Sequence, residues 1–320
     1  MSKTALICGV SGQDGAYLSL LLLDKGYRVV GTSRNVQSHD FANLNRLGIQ
    51  DQVERIVLDP EDFTQLCRVL ENIAPNEVYN LSGQSSVGLS FERPLETFRS
   101  IALVTSNWLE AIRTIEPSAP FFNAGSSECF GDTGGTPADE TTPLQPQSPY
   151  AVAKSAAWWA TRNYRDSYGL FACTGILFNH ESPLRPERFV TQKIVQAVVR
   201  IARGSQEKLK LGNLAVVRDW GWAPEYVEAM WRMLQQSEPE DYVLATGQSY
   251  ALEEFVAAAF DWVGLNWRDH VEFDAQLVRQ TEVSAVCANP EKARSRLGWA
   301  AQSSLHSVAH RMVAAAGELK

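Results

Sequence analysis

What most constrains this chain is an alternation. Short apolar runs at 4–8, 28–32, 54–58, 77–81, 120–125 and 171–177 read as strands, and helical patterns at 14–26, 62–74, 94–115 and 148–168 fall between them. Strands alternating with helices predict the α/β class, with a Rossmann-type doubly wound parallel sheet. After 178 the alternation weakens. Runs near 208–213 and 241–246, and helices near 190–203, 222–236, 251–264 and 304–316, suggest a smaller C-terminal substrate-binding lobe. The expected division is a nucleotide-binding domain over 1–178, with strands contributed from about 212–246, and a mainly substrate-binding lobe over 179–320. A length of 320 residues accommodates one large α/β unit or two unequal lobes.

The turn after the first run carries a second constraint. Gly9-Val10-Ser11-Gly12-Gln13-Asp14-Gly15 follows a strand and opens a helix. Glycines there let backbone amides approach a pyrophosphate, and the helix N-terminus adds partial positive charge. The spacing is GxxGxxG, and it marks Gly9, Gly12, Gln13, Asp14 and Gly15 as candidate cofactor residues. The second run ends in Gly31-Thr32-Ser33-Arg34-Asn35. An acid there would hold a ribose 2′-hydroxyl; Arg34 without an acid suits a 2′-phosphate, so the expected cofactor is NADP. Arg34 could equally be an ordinary exposed arginine. Asp59 is placed to meet an adenine ring, or to cap a helix beginning near Glu61.

Bulk properties exclude several classes. A net charge of −8 argues against a nucleic-acid partner. Cys8, Cys67, Cys129, Cys173 and Cys287 are scattered and lack CxxC spacing, which fits reduced thiols in the cytoplasm and no metal site. No apolar run is long enough to span a membrane, and Met1-Ser2-Lys3-Thr4 leads straight into a strand without a visible signal peptide.

Two short stretches carry chemistry. Tyr150 and Lys154 are four residues apart on a predicted helix, so they share a face, with Ser148 as N-cap and Pro149 at the first helical position. A nearby ammonium would favour the phenolate and lower the tyrosine pKa. Ser126 and Glu128 end the run 120–125, and strand alternation would point both into one cleft. The Gly- and Pro-rich segment 132–148 reads as a loop that could border this cleft.

These features together resemble the GDP-mannose 4,6-dehydratase family of extended short-chain dehydrogenases/reductases. The likeness runs through Gly12-Gln13-Asp14-Gly15-Ala16-Tyr17-Leu18, Tyr79-Asn80-Leu81, Ser148-Pro149-Tyr150, Gly175 to Pro183, Arg218-Asp219-Trp220-Gly221 and Leu297-Gly298-Trp299. It implies dehydration of GDP-mannose to GDP-4-keto-6-deoxy-mannose through a bound NADP that is recycled. In that scheme Ser126 polarises the C4 oxygen, Glu128 removes the C5 proton, Tyr150 takes the C4 hydroxyl proton, and Lys154 tunes it and holds the nicotinamide ribose. The resemblance adds Leu81, Gln84, Ser85, His180 and Arg185 to the NADP site. It assigns Ser85, Asn179, Lys193, Arg218, Arg279 and Glu282 to the GDP-sugar, with Arg218 at the pyrophosphate and Arg279 and Glu282 at the nucleoside end. It also implies a homodimer or homotetramer, with the helices at 94–115 and after Tyr150 pairing across subunits.

Other readings stand beside these. Read alone, His180 is a satisfied structural histidine, Arg218-Asp219 an ion pair, and Trp158-Trp159 core or subunit interface. The family's threonine is Ser126 here, its second arginine after Arg34 is Asn35, and two further arginines are Gln147 and Gln192. Gly31 to Asn35 and Gly125 to Glu128 look more like GDP-4-keto-6-deoxy-mannose reductase, so the alternative activity is that reductase or another nucleotide-sugar-modifying short-chain dehydrogenase/reductase. A catalytically silent NADP-binding protein would be expected to lack the Tyr150-Lys154 pair.

Overall fold

The computed structural model describes residues 2–34, 41–278 and 281–318. In chain order the strands are β1 (Thr4–Cys8), β2 (Arg28–Ser33), β3 (Glu54–Val57), β4 (Glu77–Asn80), β5 (Phe121–Ala124), β6 (Pro137–Ala138), β7 (Ala172–Leu177), β8 (Asn179–Glu181), β9 (Leu209–Leu211), β10 (Val217–Trp222), β11 (Tyr242–Leu244), β12 (Ser249–Ala251), β13 (Val271–Phe273) and β14 (Cys287–Ala288). The helices are α1 (Gln13–Asp24), α2 (Ala42–Arg46), α3 (Phe63–Ile73), α4 (Val87–Glu92), α5 (Pro94–Phe98), α6 (Val104–Ile115), α7 (Pro149–Tyr168), α8 (Val190–Ala202), α9 (Ala223–Met233), α10 (Leu252–Asp261), α11 (Glu291–Leu297) and α12 (Leu305–Glu318).

Seven strands form one parallel sheet in the order β11-β7-β5-β4-β1-β2-β3. Strands β1, β4, β5 and β7 are buried along their whole length, as strands covered on both faces must be. Alternate residues supply the two faces. Ile7 and Phe122 join the core that includes Tyr226 and Met230 of α9, whereas Leu6 and Phe121 join the core around Trp108 of α6. A third core fills the smaller body, where α8, α10 and α12 pack around Trp220 and Phe255. There β10 pairs parallel with β8 and antiparallel with β12.

The doubly wound sheet expected from the alternation is present, with element ends shifted by a few residues. Three local expectations need correction. The pattern over 94–115 is not one regular α-helix: a π turn, Arg99–Leu103, separates α5 from α6. Asp59 does not cap the helix after β3; Asp62 does, accepting from Gln65 N at 3.1 Å, and Asp59 Oδ1 accepts instead from Glu61 N. The segment 132–148 does not border the site. It folds away onto residues 284–289, where β6 pairs with β14 and Asp132 Oδ2 accepts from Ser284 N at 3.0 Å. The helices α2, α4 and α11, at five to seven residues, are too short to print a helical period in the sequence.

Candidate active site

The carboxyl ends of the central strands open onto two cavities, of about 410 and 590 Å³. Ligand clefts are expected at that edge of a doubly wound sheet. The larger lies over the glycine-rich turn. Gly9, Gly12, Gln13, Asp14, Gly15, Arg34, Asp59, Leu81, Gln84, Ser85 and Arg185 all line it. Its tightness depends on missing side chains. Gly9 has φ +89°, and a Cβ there would sit 2.8 Å from Leu81 O; a Cβ on Gly15 would sit 2.4 Å from Gly9 O. A turn packed this closely keeps its backbone amides open to a phosphate, which is the cradle a dinucleotide pyrophosphate needs.

The smaller cavity gathers the chemistry. Ser126, Glu128, Tyr150, Lys154, Asn179, His180, Lys193, Arg218 and Glu282 line it, with Asp14, Leu81, Gln84, Ser85 and Arg185 from the shared wall. Arg279 lies outside the described residues, as does Asn35. Helix α7 presents Tyr150 and Lys154 as its spacing predicts. Ser148 caps it by accepting from Ala151 N at 3.1 Å, and Pro149 occupies the first turn.

Ser126 and Glu128 reach the cavity by a route that strand alternation does not describe. Strand β5 stops at Ala124. Ser126 then caps a 3₁₀ turn, Ser127–Phe130, its Oγ accepting from Glu128 N at 3.3 Å. The short turn holds both side chains on the cavity.

Lys154 also differs from expectation. Its Nζ donates to Ala124 O at 2.6 Å and lies 5.9 Å from the centre of the Tyr150 ring. Burial pushes the Tyr150 phenol above its ordinary value, and the Ser126 hydroxyl is the largest influence acting the other way. Burial lowers the Lys154 ammonium to about 8. Burial therefore sets the direction of the phenol's shift, and the lowering expected from the Lys154 ammonium is not seen.

His180 and Asp14 contact each other. His180 Nε2 lies 2.9 Å from Asp14 Oδ2, and Nδ1 lies 2.7 Å from Phe178 O. Burial opposes the imidazolium, but the Asp14 charge and hydrogen bond outweigh it and raise the His180 pKa. Asp14 is lowered to about 2: burial works against ionisation, and the His180 charge and hydrogen bond, with the Gln13 hydrogen bond and the Arg185 charge, overcome it. The imidazole also stacks on Tyr226 at 4.7 Å. Gln13 extends the contact, donating to His180 O at 3.1 Å and accepting from Ser182 Oγ at 2.7 Å.

Arg218 turns towards Glu128, with Nε 3.9 Å from Oε1, and its other nitrogens donate to Val217 O and Val283 O, both at 2.9 Å. Neighbouring Asp219 points to the opposite face of β10 and accepts from Thr246 N and Gly247 N. Lys193 Nζ donates to Lys210 O at 2.7 Å. The Trp158-Trp159 pair splits: Trp158 is core, donating to Asp241 Oδ2 at 2.8 Å, and Trp159 is exposed.

Sequence reasoning missed Ser82, Gly83, Arg188 and Phe189, which line both cavities. Nothing in their local pattern marks them, because the wall forms only when 185–189 meets 82–85.

The chain matches the family model described as GDP-mannose 4,6 dehydratase over residues 6–312. It is 48% identical over 307 residues to GDP-mannose 4,6 dehydratase 1 of Arabidopsis thaliana, covering 93% of this chain and 85% of that protein. It is 40% identical over 347 residues to a GDP-mannose 4,6-dehydratase of Vibrio cholerae, covering 98% and 93%. Among solved structures, a dTDP-glucose 4,6-dehydratase from Streptomyces venezuelae with NAD and TYD bound superposes with a TM-score of 0.86, at 20% identity and 97% and 96% coverage. That likeness is one of fold.

Proposed function

The chain belongs to the GDP-mannose 4,6-dehydratase family, and from that premise we propose that it dehydrates GDP-mannose to GDP-4-keto-6-deoxy-mannose with a nicotinamide cofactor, NADP, held throughout. The observation that carries this reading is Glu128, a carboxylate in the same cavity as Ser126, Tyr150 and Lys154. Oxidation or reduction at C4 needs only a hydroxyl and a phenol. Elimination of water needs a base for C5 as well.

A bound nicotinamide would supply a recyclable hydride acceptor, first for C4 and then, as donor, for C6. The chain's own groups do the remaining work. Ser126 hydrogen-bonds the C4 oxygen. Tyr150 accepts the C4 hydroxyl proton against the upward push of burial on its phenol, and the Lys154 ammonium, 5.9 Å from its ring, is the positive charge that would favour the phenolate. The resulting ketone acidifies C5, Glu128 removes that proton, and the C6 hydroxyl leaves as water. Glu128 passes the C5 proton to the departing C6 hydroxyl, and C5 then receives the proton that Tyr150 took from the C4 hydroxyl, so the cycle closes with no net redox change. Arg34, in place of an acid at the end of β2, supports NADP. Asn179, Lys193, Arg218 and Glu282 line the remainder of the smaller cavity and are the proposed GDP-sugar contacts; to meet a phosphate with its planar fork, Arg218 would exchange the Val217 and Val283 carbonyls that its terminal nitrogens hold.

A homodimer or homotetramer that pairs the 94–115 segment and α7 across subunits accords with exposed Leu95 and Phe98 on α5, Leu103 at the end of the π turn, and Val152 and Trp159 on α7. No helix among the described residues is long and apolar enough to cross a membrane. The cysteines carry no disulfide, consistent with a reducing compartment such as the cytoplasm.

The test is incubation of the protein with GDP-mannose and no added reductant. Mass spectrometry is expected to show loss of one water from the sugar nucleotide. An unchanged GDP-mannose pool, with NADPH consumed on the keto sugar, would replace this reading by the reductase.

A further inference from the structure

A row of buried polar side chains crosses the sheet one residue below the catalytic loops. Asn80 ends β4, Asn123 lies next to the end of β5, and Thr174 is in β7. Thr105, in the first turn of α6, joins them. Asn80 Nδ2 donates to Thr105 Oγ1 at 3.2 Å. The Thr105 hydroxyl faces two acceptors, Ile101 O at 2.8 Å and Asn123 Oδ1 at 3.3 Å. Asn123 Nδ2 donates to Thr174 Oγ1 at 3.3 Å. At the other end, Asn80 Oδ1 accepts from Ser82 Oγ at 2.7 Å. Asn80, Thr105, Asn123 and Thr174 are each no more than 3% exposed.

A sheet–helix interface is ordinarily apolar, and burying these groups costs free energy unless each finds its partner. A satisfied network of this kind forms in one alignment only. Here that alignment sets two loops. Ser82 begins the segment that walls both cavities. Ala124, directly after Asn123, supplies the carbonyl that holds Lys154.

The π turn at Arg99–Leu103 fits the same purpose. Insertion of an extra residue re-aims the side chains on either side of it. Before it, Thr97 Oγ1 accepts from Gln84 Nε2 at 3.1 Å; within it, Ser100 Oγ accepts from Gln84 N at 3.4 Å. After it, Thr105 meets the sheet.

We propose that Thr105, with the Asn80–Asn123–Thr174 row that it links, is a positioning residue that holds segment 82–86 and the Ala124 carbonyl in register for the reaction. The proposal rests on the dehydratase reading for its chemistry and on geometry alone for its effect on the loop.

The test is Thr105→Val, which keeps the shape and removes the hydroxyl, with Thr105→Ser as the rescue. Two quantities are read on the full chain: kcat with GDP-mannose, and amide hydrogen exchange of residues 82–86. Thr105→Val is expected to lower kcat at least about tenfold and to speed exchange over 82–86 by a similar factor, while β9 and β13 exchange as in the parent. Thr105→Ser is expected to restore both. Unchanged exchange at 82–86, unchanged kcat, or failure of Thr105→Ser to rescue would overturn the proposal. Should Thr105→Val not fold, Thr174→Val removes only the terminal acceptor and is judged in the same way. If the parent chain itself does not dehydrate GDP-mannose, the dehydratase reading fails, and exchange at 82–86 then decides the positioning role alone.

Discussion

Asp14 and His180, 166 residues apart in the chain, are joined by a contact of 2.9 Å that ties the first turn of α1 to β8. Its pH signature has two sides. Asp14 is lowered from 3.8 to about 2, so its contribution to stability is present above pH 3.8 and is lost as pH falls through about 2. His180 is raised above 6.5, so its contribution is complete below pH 6.5 and is lost as pH rises through the higher folded value. Asp14→Asn is therefore expected to destabilise the ligand-free protein most between about pH 4 and 6.5, and less at pH 9. Urea denaturation at pH 5 and pH 9 checks this; an equal loss at both would show that the charge pair contributes nothing.

Glu128→Gln separates binding from chemistry. Glutamine keeps an oxygen towards Arg218, whose other nitrogens remain on Val217 O and Val283 O. Stability is expected to change little. Removal of a general base costs on the order of 10²–10⁴ in rate. Water loss from GDP-mannose should fall by that order, with GDP-mannose affinity within about threefold of the parent. Tyr150→Phe should produce a comparable loss of turnover; near-parental rates in either variant would remove that residue from the mechanism.

Lys154→Met makes an opposite prediction for stability. Burial lowers Lys154 from 10.5 to about 8, so below pH 8 the folded chain holds a buried ammonium at a cost that disappears as pH rises towards 10.5. The methionine variant is expected to be inactive yet more stable at pH 7, by up to about 3 kcal/mol. That advantage should shrink between pH 8 and 10.5. Thermal melts across this range give the answer, and an advantage independent of pH would assign the gain to packing.

Asp241 anchors α7 from behind. It accepts from Trp158 Nε1, from Arg165 Nη1 and Nη2, and from Thr174 N at 2.7 Å. Asp241→Ala strands a largely buried guanidinium and an indole N–H. A loss of about 3–5 kcal/mol is expected in chemical denaturation, together with lower turnover, because the same helix carries Tyr150 and Lys154.

Local regularity decided what could be read from the residues. Tyr150 and Lys154 fall together because α7 is an unbroken helix with a capping serine and a proline where each belongs. The turn at Gly9–Gly15 is legible for a similar reason: a strand, tight glycines and a helix start sit within one short stretch. Ser126 and Glu128 share the cavity by way of a 3₁₀ turn, which leaves no periodic mark, so strand alternation gives the right neighbours for the wrong reason. Lys154's carbonyl partner, Arg218's approach to Glu128, and the Asn80–Thr105–Asn123–Thr174 row arise only from the approach of distant segments. The π turn is hidden because its residues are those of an ordinary helix.

The wall of Ser82–Ser85, Arg185, Arg188 and Phe189 belongs to both cavities at once. A substitution there is felt on two sides. The chain cannot drift towards another sugar by changing this wall without also disturbing its grip on the dinucleotide, nor the reverse. Selection for a new substrate would be steered to the outer residues of the smaller cavity, around Asn213, Leu277 and Glu282, leaving the partition to serve both ligands.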